Sequence, residues 1–341
     1  MLSNRLLYIS ESSLGSKSAN SIQVLSMCTA FVENGFQVDL LCRNSGSKQI
    51  QGVKMVEGPP MLILYRFWLL FNILRASFKN EYHIVFGRSY LVQLLVTILG
   101  IRSYLEIHTN ENLVFLKRVF FFLAKKNNII FVPISDPLVC DMGLNKYNYV
   151  VAHDGHSNQS AFITPFHRRN KRLNVGYFGK LSERKGLDLL RFLDSQDDID
   201  FQMHIFSPDT GEYKWFSDKV EVGYVEHEEI LIKMASMDVL LLPIKPVSLR
   251  DYSRYTSPLK LFEYASSGRL ILLSPVSSLQ GLDFPQGIYF CEKESDWIVT
   301  LKRIKDSKTY EDRIILENIK KWSSDYTWNK RVKKILAHDF N

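Results

Sequence analysis

Apolar and polar positions alternate along this chain in short blocks. "RLLYIS" is a strand-length apolar run. "ESSLGSKSAN" is polar and contains a glycine. "SIQVLSMCTAFVENG" has helical spacing and closes at Gly35, and "FQVDLLCR" returns to a strand. That order predicts a βαβ unit and a parallel sheet. "HIVFGRS", the helical "YLVQLLVTILG", "RSYLEIHT", a Phe-rich helix, "NIIFVPIS" and "YVVAHDG" extend the pattern to near residue 165. A polar, basic stretch, "TPFHRRNKR", then reads as a linker. After it the alternation restarts with strand "LNVGYFG", loop "KLSERKG", helix "LDLLRFLDS" and strands "DFQMHIFS" and "VEVGYV". Helix "HEEILIKMAS", strand "DVLLLPI", a helix-to-strand segment "SPLKLFEYASSGRLILLS" and strand "GIYFCE" follow. The tail "SSDYTWNKRVKKILAHDF" is an amphipathic helix.

The pattern therefore predicts an α/β protein with two doubly wound domains, 1–165 and 166–324, and a closing helix over 325–341. In each, the C-terminal strand ends are expected to face a central cleft, where such sheets take ligands. The length of 341 residues suits two domains. No internal repeat or low-complexity tract interrupts them. The net charge of +7 is uneven: residues 1–165 hold 15 Lys+Arg against 10 Asp+Glu, and the remainder 28 against 26. A basic half suits a phosphate-bearing partner or an anionic membrane surface. Nucleic acid is not expected, because no compact basic cluster with interleaved aromatics appears beyond "HRRNKR" at 167–172. Cys28, Cys42, Cys140 and Cys291 have no metal or redox spacing and read as reduced thiols of a cytoplasmic protein. No signal peptide or membrane span is expected. "MLILYRFWLLFNILR" and "NLVFLKRVFFFLAKK" mix large apolar residues with Arg or Lys; core helices and faces lying on a bilayer both fit them.

Candidate chemistry sits in the loops at strand ends. Gly15 and Ser16, in the loop before the first helix, permit a close approach to phosphate, and Asn20 follows on that helix. His108 ends the strand "LEIHT", with Glu106 on the same face, and Arg88 sits at an equivalent strand end. A satisfied core histidine is the alternative for His108, and a structural salt bridge explains Arg88 equally well. Gly179 allows a sharp turn off its strand, after which Lys180, Arg184 and Lys185 crowd cations before a helix N-terminus. Like charges beside a positive dipole end disfavour folding unless an anion offsets them. Ser257 is expected to cap a helix whose first residue is Pro258, with Leu259 and Lys260 in its first turn. Glu263 lies too deep in that helix to cap it, and suits a diol such as ribose. Asp198-x-Asp200 reads as a solvated turn. No metal cluster, nucleophilic triad or P-loop is present.

Taken in order, these segments resemble the GT-B glycosyltransferases, specifically glycosyltransferase family 4. "LLYIS…ANSIQVLSMCTAFVENGFQVDLL" is similar to the family's opening βαβ, "LEIHT" to its E-x-H strand end and "VGYFGKLSERKGLDLL" to its G-R-L…K-G loop. "YVEHEEILIKMASMDVLLLPI" is similar to its nucleotide-side segment, "YTSPLKLFEYASSGRLIL" to its paired-Glu signature and "YTWNKRVKKIL" to its closing helix, which crosses back to the first domain. The resemblance implies two Rossmann-like domains: the first on the acceptor side, the second binding a UDP- or GDP-sugar. It gives Glu263 the ribose, and gives the diphosphate Lys180, Lys185 and the Ser257–Pro258 helix end. His108 takes the donor sugar, and the Gly15–Ser16 loop closes on the diphosphate. Gly179, Arg184, Tyr255, Leu259 and Lys260 line the donor, and Arg88, Glu106 and Asn20 the acceptor or sugar side. It also implies retention at the anomeric carbon, no metal and no cofactor beyond the nucleotide-sugar substrate. The implied acceptor is a glycan or polyprenyl-linked lipid of bacterial O-antigen or capsule synthesis, with the protein peripheral at the cytoplasmic face of the inner membrane. Two departures stand out. Tyr255 replaces the first signature Glu, and Lys180 replaces an Arg, losing its bidentate fork. A non-catalytic nucleotide-sugar binder or scaffold, and a UDP-GlcNAc epimerase of the same fold, remain alternatives.

Overall fold

The structure is a computed structural model. It describes residues 4–15, 19–45, 49–78, 82–109, 121, 129–157, 172–197, 200–208, 210–226, 229–245, 254–255, 257–279 and 281–338. Two compact units are present: residues 1–154 with 328–341, and residues 155–327.

The first unit runs β1 (Arg5–Ile9), α1 (Ala19–Glu33), β2 (Gln37–Cys42), β3 (Val53–Glu57), α2 (Leu62–Phe78), β4 (Ile84–Gly87), α3 (Tyr90–Ile98), β5 (Ser103–Ile107), β6 (Ile129–Pro133) and α4 (Asp136–Met142). Its six strands are parallel, in the order β3-β2-β1-β4-β5-β6. Central strands of such a sheet are covered on both faces, so they read as unbroken apolar runs. "LLYI" of β1 and "IVFG" of β4 are buried throughout. Edge strand β3, "VKMVE", is at most half-buried along its length, and its polar alternation hid it in the sequence. The strand expected at "YVVAHDG" is not one. Tyr149 makes a single bridge to Phe131, and the N–H groups of Val150 and Ala152 bond to Phe131 and Pro133 of edge strand β6. The chain then turns Asp154 and His156 inward instead of extending the ladder.

The second unit runs β7 (Leu173–Phe178), α5 (Leu187–Asp194), β8 (Phe201–Phe206), β9 (Glu221–Gly223), α6 (Ile230–Ala235), β10 (Val239–Leu242), α7 (Leu259–Ser266), β11 (Leu270–Leu273), β12 (Ile288–Phe290), α8 (Glu294–Ser307) and α9 (Arg313–Ser323). Its strand order is β12-β11-β10-β7-β8-β9, again parallel. Numbered from β7, this is the same 3-2-1-4-5-6 winding as in the first unit, the order of a dinucleotide-binding sheet. In each unit the strand order reverses between the first and fourth strands. The switch points are therefore β1/β4 and β7/β10, the places beyond the strand ends where sheets of this winding take ligands.

The closing helix α10 (Trp328–Leu336) belongs to the first unit and packs on α1. Trp328, Arg331, Val332 and Ile335 form its buried face at helical spacing. Asn329 donates to Glu33 of α1 at 2.7 Å. Cys28, Cys42 and Cys291 are buried thiols and Cys140 is exposed.

Candidate active site

The switch point of the second unit gathers the cations expected from sequence. β7 ends at Phe178, and Gly179 then turns the chain with φ +130°. That backbone excludes a side chain, and a Cβ on Gly179 would lie 2.1 Å from Lys260 Nζ. The missing side chain is what lets the Lys260 ammonium from α7 reach across the strand end. There it lies 4.5 Å from the Tyr177 ring centre and donates to the Tyr177 hydroxyl at 3.3 Å. Tyr177 in turn donates to the Lys180 carbonyl at 2.8 Å, fixing the start of the loop. Burial, then the nearby Lys185, pushes the Lys260 ammonium down to about 7 against the pull of Glu263. Burial also pushes the Glu263 carboxyl up to about 7, with Lys260 opposing. Glu263 is half-buried on α7 and its carboxylate accepts no hydrogen bond among the described residues. This is a half-desolvated cation one helical turn from an acceptor group with spare capacity. Such a pair suits a ligand carrying an anion and a diol a few ångströms apart.

The loop that follows is pinned to its neighbour across the switch point. Lys180, Arg184 and Lys185 are all exposed on it. The Lys245 amide donates to the Arg184 carbonyl at 3.1 Å, and the Lys245 ammonium pairs with Asp188 of α5. Gly186 closes the loop at φ +69°, where a Cβ would come 2.3 Å from Pro243 Cβ. Gly186→Ala should lower the stability of this unit by about 1–3 kcal/mol, read as a fall in the urea midpoint, because strain and collision act together. An unchanged midpoint would show the loop to be free of Pro243.

One local expectation needs correction. Ser257 does not cap α7. The helix starts at Leu259, with Pro258 as its extended N-cap residue (ψ 94°) and no side-chain cap bond. Ser257 is buried one residue earlier. The extended Pro258 thus leaves the first amides of α7 without a hydroxyl acceptor from the cap position. The far end fits expectation, with Gly268 left-handed at φ +66° before β11. Tyr255 is half-buried just upstream.

In the first unit, the residues at the β1/β4 switch point form a buried ionic network. Glu106 of β5 is fully buried. Its carboxylate takes Arg88 Nε at 2.5 Å and Arg331 Nη2 at 2.5 Å, one on each oxygen. Burial opposes ionisation of Glu106, but Arg88 and Arg331 outweigh it and hold the carboxyl well below the usual range. Arg88 also donates to Gln23 of α1 at 3.3 Å, and Gln23 donates to buried Asp154 at 2.5 Å. Both Glu106 oxygens are thus engaged inside the protein, so it acts as an internal anchor, with Arg88 as its partner. His108, just past β5, keeps its side chain 24% exposed, with Nε2 3.3 Å from Glu106. Asn20 is exposed on the first turn of α1, and Gly15 is exposed at the end of the preceding loop. Ser16 lies outside the described residues, as do the linker up to residue 171 and Asp198. Arg331 was not foreseen. Its signal was a charge at a position where the spacing of Trp328, Val332 and Ile335 calls for an apolar residue.

No protein-family model matches the sequence, and no curated protein does. Solved structures do match over the whole chain. A glycosyltransferase from Rickettsia africae superposes with a TM-score of 0.73 at 12% identity, covering 98% of this chain and 97% of that one. HepE from Anabaena, solved in complex with UDP, superposes at 0.70 and 12% identity over 98% and 99% of the two chains. The lipopolysaccharide outer core galactosyltransferase WaaB gives 0.69 at 13% identity over 98% of each. Together with the two six-stranded parallel sheets, these likenesses establish the GT-B fold for this chain.

Proposed function

We propose that this chain is a retaining, metal-independent glycosyltransferase of family 4 type. It moves a sugar from a UDP- or GDP-sugar to a glycan or lipid-linked acceptor in the assembly of a bacterial surface polysaccharide. The observation that carries the reading is the Lys260–Glu263 pair at the β7/β10 switch point, with Lys185 close enough to depress the Lys260 ammonium. The donor diphosphate lies against Lys260, Lys185 and Lys180, and the ribose diol donates to Glu263. As the bond from the anomeric carbon to the phosphate oxygen breaks, these ammonium groups stabilise the charge that collects on the leaving nucleoside diphosphate. The acceptor hydroxyl attacks from the leaving-group face and its proton passes to the departing phosphate oxygen. No nucleophile from the protein is then required. HepE, which shares the fold, has been solved with UDP and with UDP-glucose, and WaaB is a galactosyltransferase of lipopolysaccharide; both agree with the reading.

Thermal-shift titration with UDP, GDP and their sugars tests it. One nucleoside diphosphate should stabilise the protein; Lys185→Ala should abolish the shift and Glu263→Ala weaken it. Both variants binding like the parent would overturn the site. Tyr255, in place of the first signature Glu, favours one competing reading, a binder without turnover. Nucleotide binding with neither transfer nor hydrolysis, across a panel of donors and acceptors, would decide for it.

A further inference from the structure

The α2 helix carries an apolar face that its own unit leaves uncovered. Tyr65, Leu69 and Ile73 bury one side of the helix. On the other, Ile63, Phe67 and Phe71 are 65–67% exposed, Leu74 is 37% exposed and Phe78 is 87% exposed. These five recur every three or four residues and so share one stripe. Scattered single apolar residues need no explanation, but a contiguous stripe of aromatic and aliphatic side chains marks a contact surface. Its charges say which kind. Between Gly58 and Phe78 there is no acidic residue, and the two charged residues are Arg66 and Arg75. At 3.6 residues per turn they fall on opposite flanks of the stripe, ~100° and ~80° from Phe67. Arg75 is exposed; Arg66 pairs with Glu11 at 3.0 Å and keeps its side chain 42% exposed. Apolar side chains in the middle with guanidinium groups along both borders is the arrangement of a helix lying in a lipid interface. The rings enter the acyl boundary there and Arg75 reaches up to headgroup phosphates, while Arg66, held by Glu11 through Nε and Nη2, keeps the opposite border polar. No described helix is long and apolar enough to cross a membrane, so a lipid contact through α2 would be one lying along the surface.

We infer that the Ile63–Phe67–Phe71–Leu74–Phe78 face of α2 docks the protein on an anionic lipid bilayer. This deepens the lipid-linked acceptor part of the proposed function, but its test is independent of donor binding. The full chain is sedimented with vesicles of phosphatidylcholine alone or of an equimolar mixture with phosphatidylglycerol. The parent should partition onto the mixed vesicles and be released by salt. Phe67→Ser/Phe71→Ser should weaken partitioning roughly tenfold or more, and Arg75→Glu several-fold. Both retain the parent's nucleotide-induced thermal shift, since the substituted side chains point to solvent. An environment-sensitive fluorophore on Phe71→Cys, in a chain whose exposed Cys140 is replaced by serine, should shift to the blue on the mixed vesicles, a readout that survives even if the double serine variant folds poorly. Equal partitioning of parent and serine variant, or no partitioning of the parent, overturns the inference. So does a parent dimer that the serine variant turns into a monomer without any vesicle binding, since that gives the face to a second copy.

Discussion

Glu106→Gln should cost the first unit about 3–5 kcal/mol, the loss usual when one partner of a buried ion pair is removed. The amide leaves Arg88 and Arg331 charged and buried without the carboxylate that both address at 2.5 Å. Urea unfolding of the full chain checks this: the unfolding limb of unit 1 should move to lower denaturant. Removing the charges together, with R88M and R331M beside E106Q, should recover much of the loss. The pH dependence carries a matching signature. The folded Glu106 carboxyl lies well below its ordinary value. Its stabilisation is therefore present above pH ~4.5 and is lost as pH falls towards the folded value. The parent should lose stability steeply on acidification, and E106Q should lose this part of the slope. A parent and variant with the same acid limb would mean that Glu106 is not the anchor.

On the proposed function, Lys260→Met should lower kcat/KM for glycosyl transfer by about 10²–10³, the scale on which loss of one preorganised donor acts at a developing anion. The pH profile separates this role from simple packing. Lys260 is held near 7, so it loses its proton as pH rises through that region, and affinity for a nucleoside diphosphate should fall on the alkaline side. Glu263, raised to about 7, becomes protonated as pH falls, and affinity should fall on the acid side as the ribose loses its acceptor. The parent should bind best near neutrality. K260M should lack the alkaline limb and Glu263→Gln the acid one, measured by calorimetric titration. Stability of the ligand-free protein runs the other way. The cost of Lys260 grows as pH falls from about 10.5 towards 7, and that of Glu263 grows as pH rises from about 4.5 towards 7. Folding is then most burdened where binding is best, and K260M should be the more stable apoprotein at neutral pH. A K260M enzyme with parental turnover and an unchanged profile would remove Lys260 from the site.

Most of the architecture was legible because the buried strands are continuous apolar runs: "LLYI", "LLYI"-like "VLLL" of β10 and "LILL" of β11 admit no other reading between Gly and polar loops. Elements under weaker constraint escaped. β3 borders solvent and needs no apolar face, and α8 and α9 lie in a stretch between "GIYFCE" and the closing helix for which no element is expected from sequence. The apolar content of α2 left its side facing solvent undecided, since a core helix and a surface stripe share composition and differ only in what packs on them. At the site, Gly179, Lys180, Lys185 and Glu263 were visible as punctuation and charge near strand ends. The Ser257 cap failed because a buried serine ahead of an extended proline sits one residue too early. Lys260 was placed with the donor, but its depressed ammonium follows from Gly179, Tyr177 and Lys185 meeting in space. Arg331 lies 225 residues from the Glu106 it neutralises, and no local rule connects them.

That last pairing bears on how the molecule is made. Residues 328–341 complete the first unit, although they emerge from the ribosome only after all of residues 155–327. While the nascent chain grows, the β1–β6 sheet waits with Glu106 lacking its Arg331 partner and the α1 surface bare. The second unit, contiguous in sequence, is free to mature first, and a chain stopped short of Trp328 would strand its amino-terminal half as prey for chaperones and proteases.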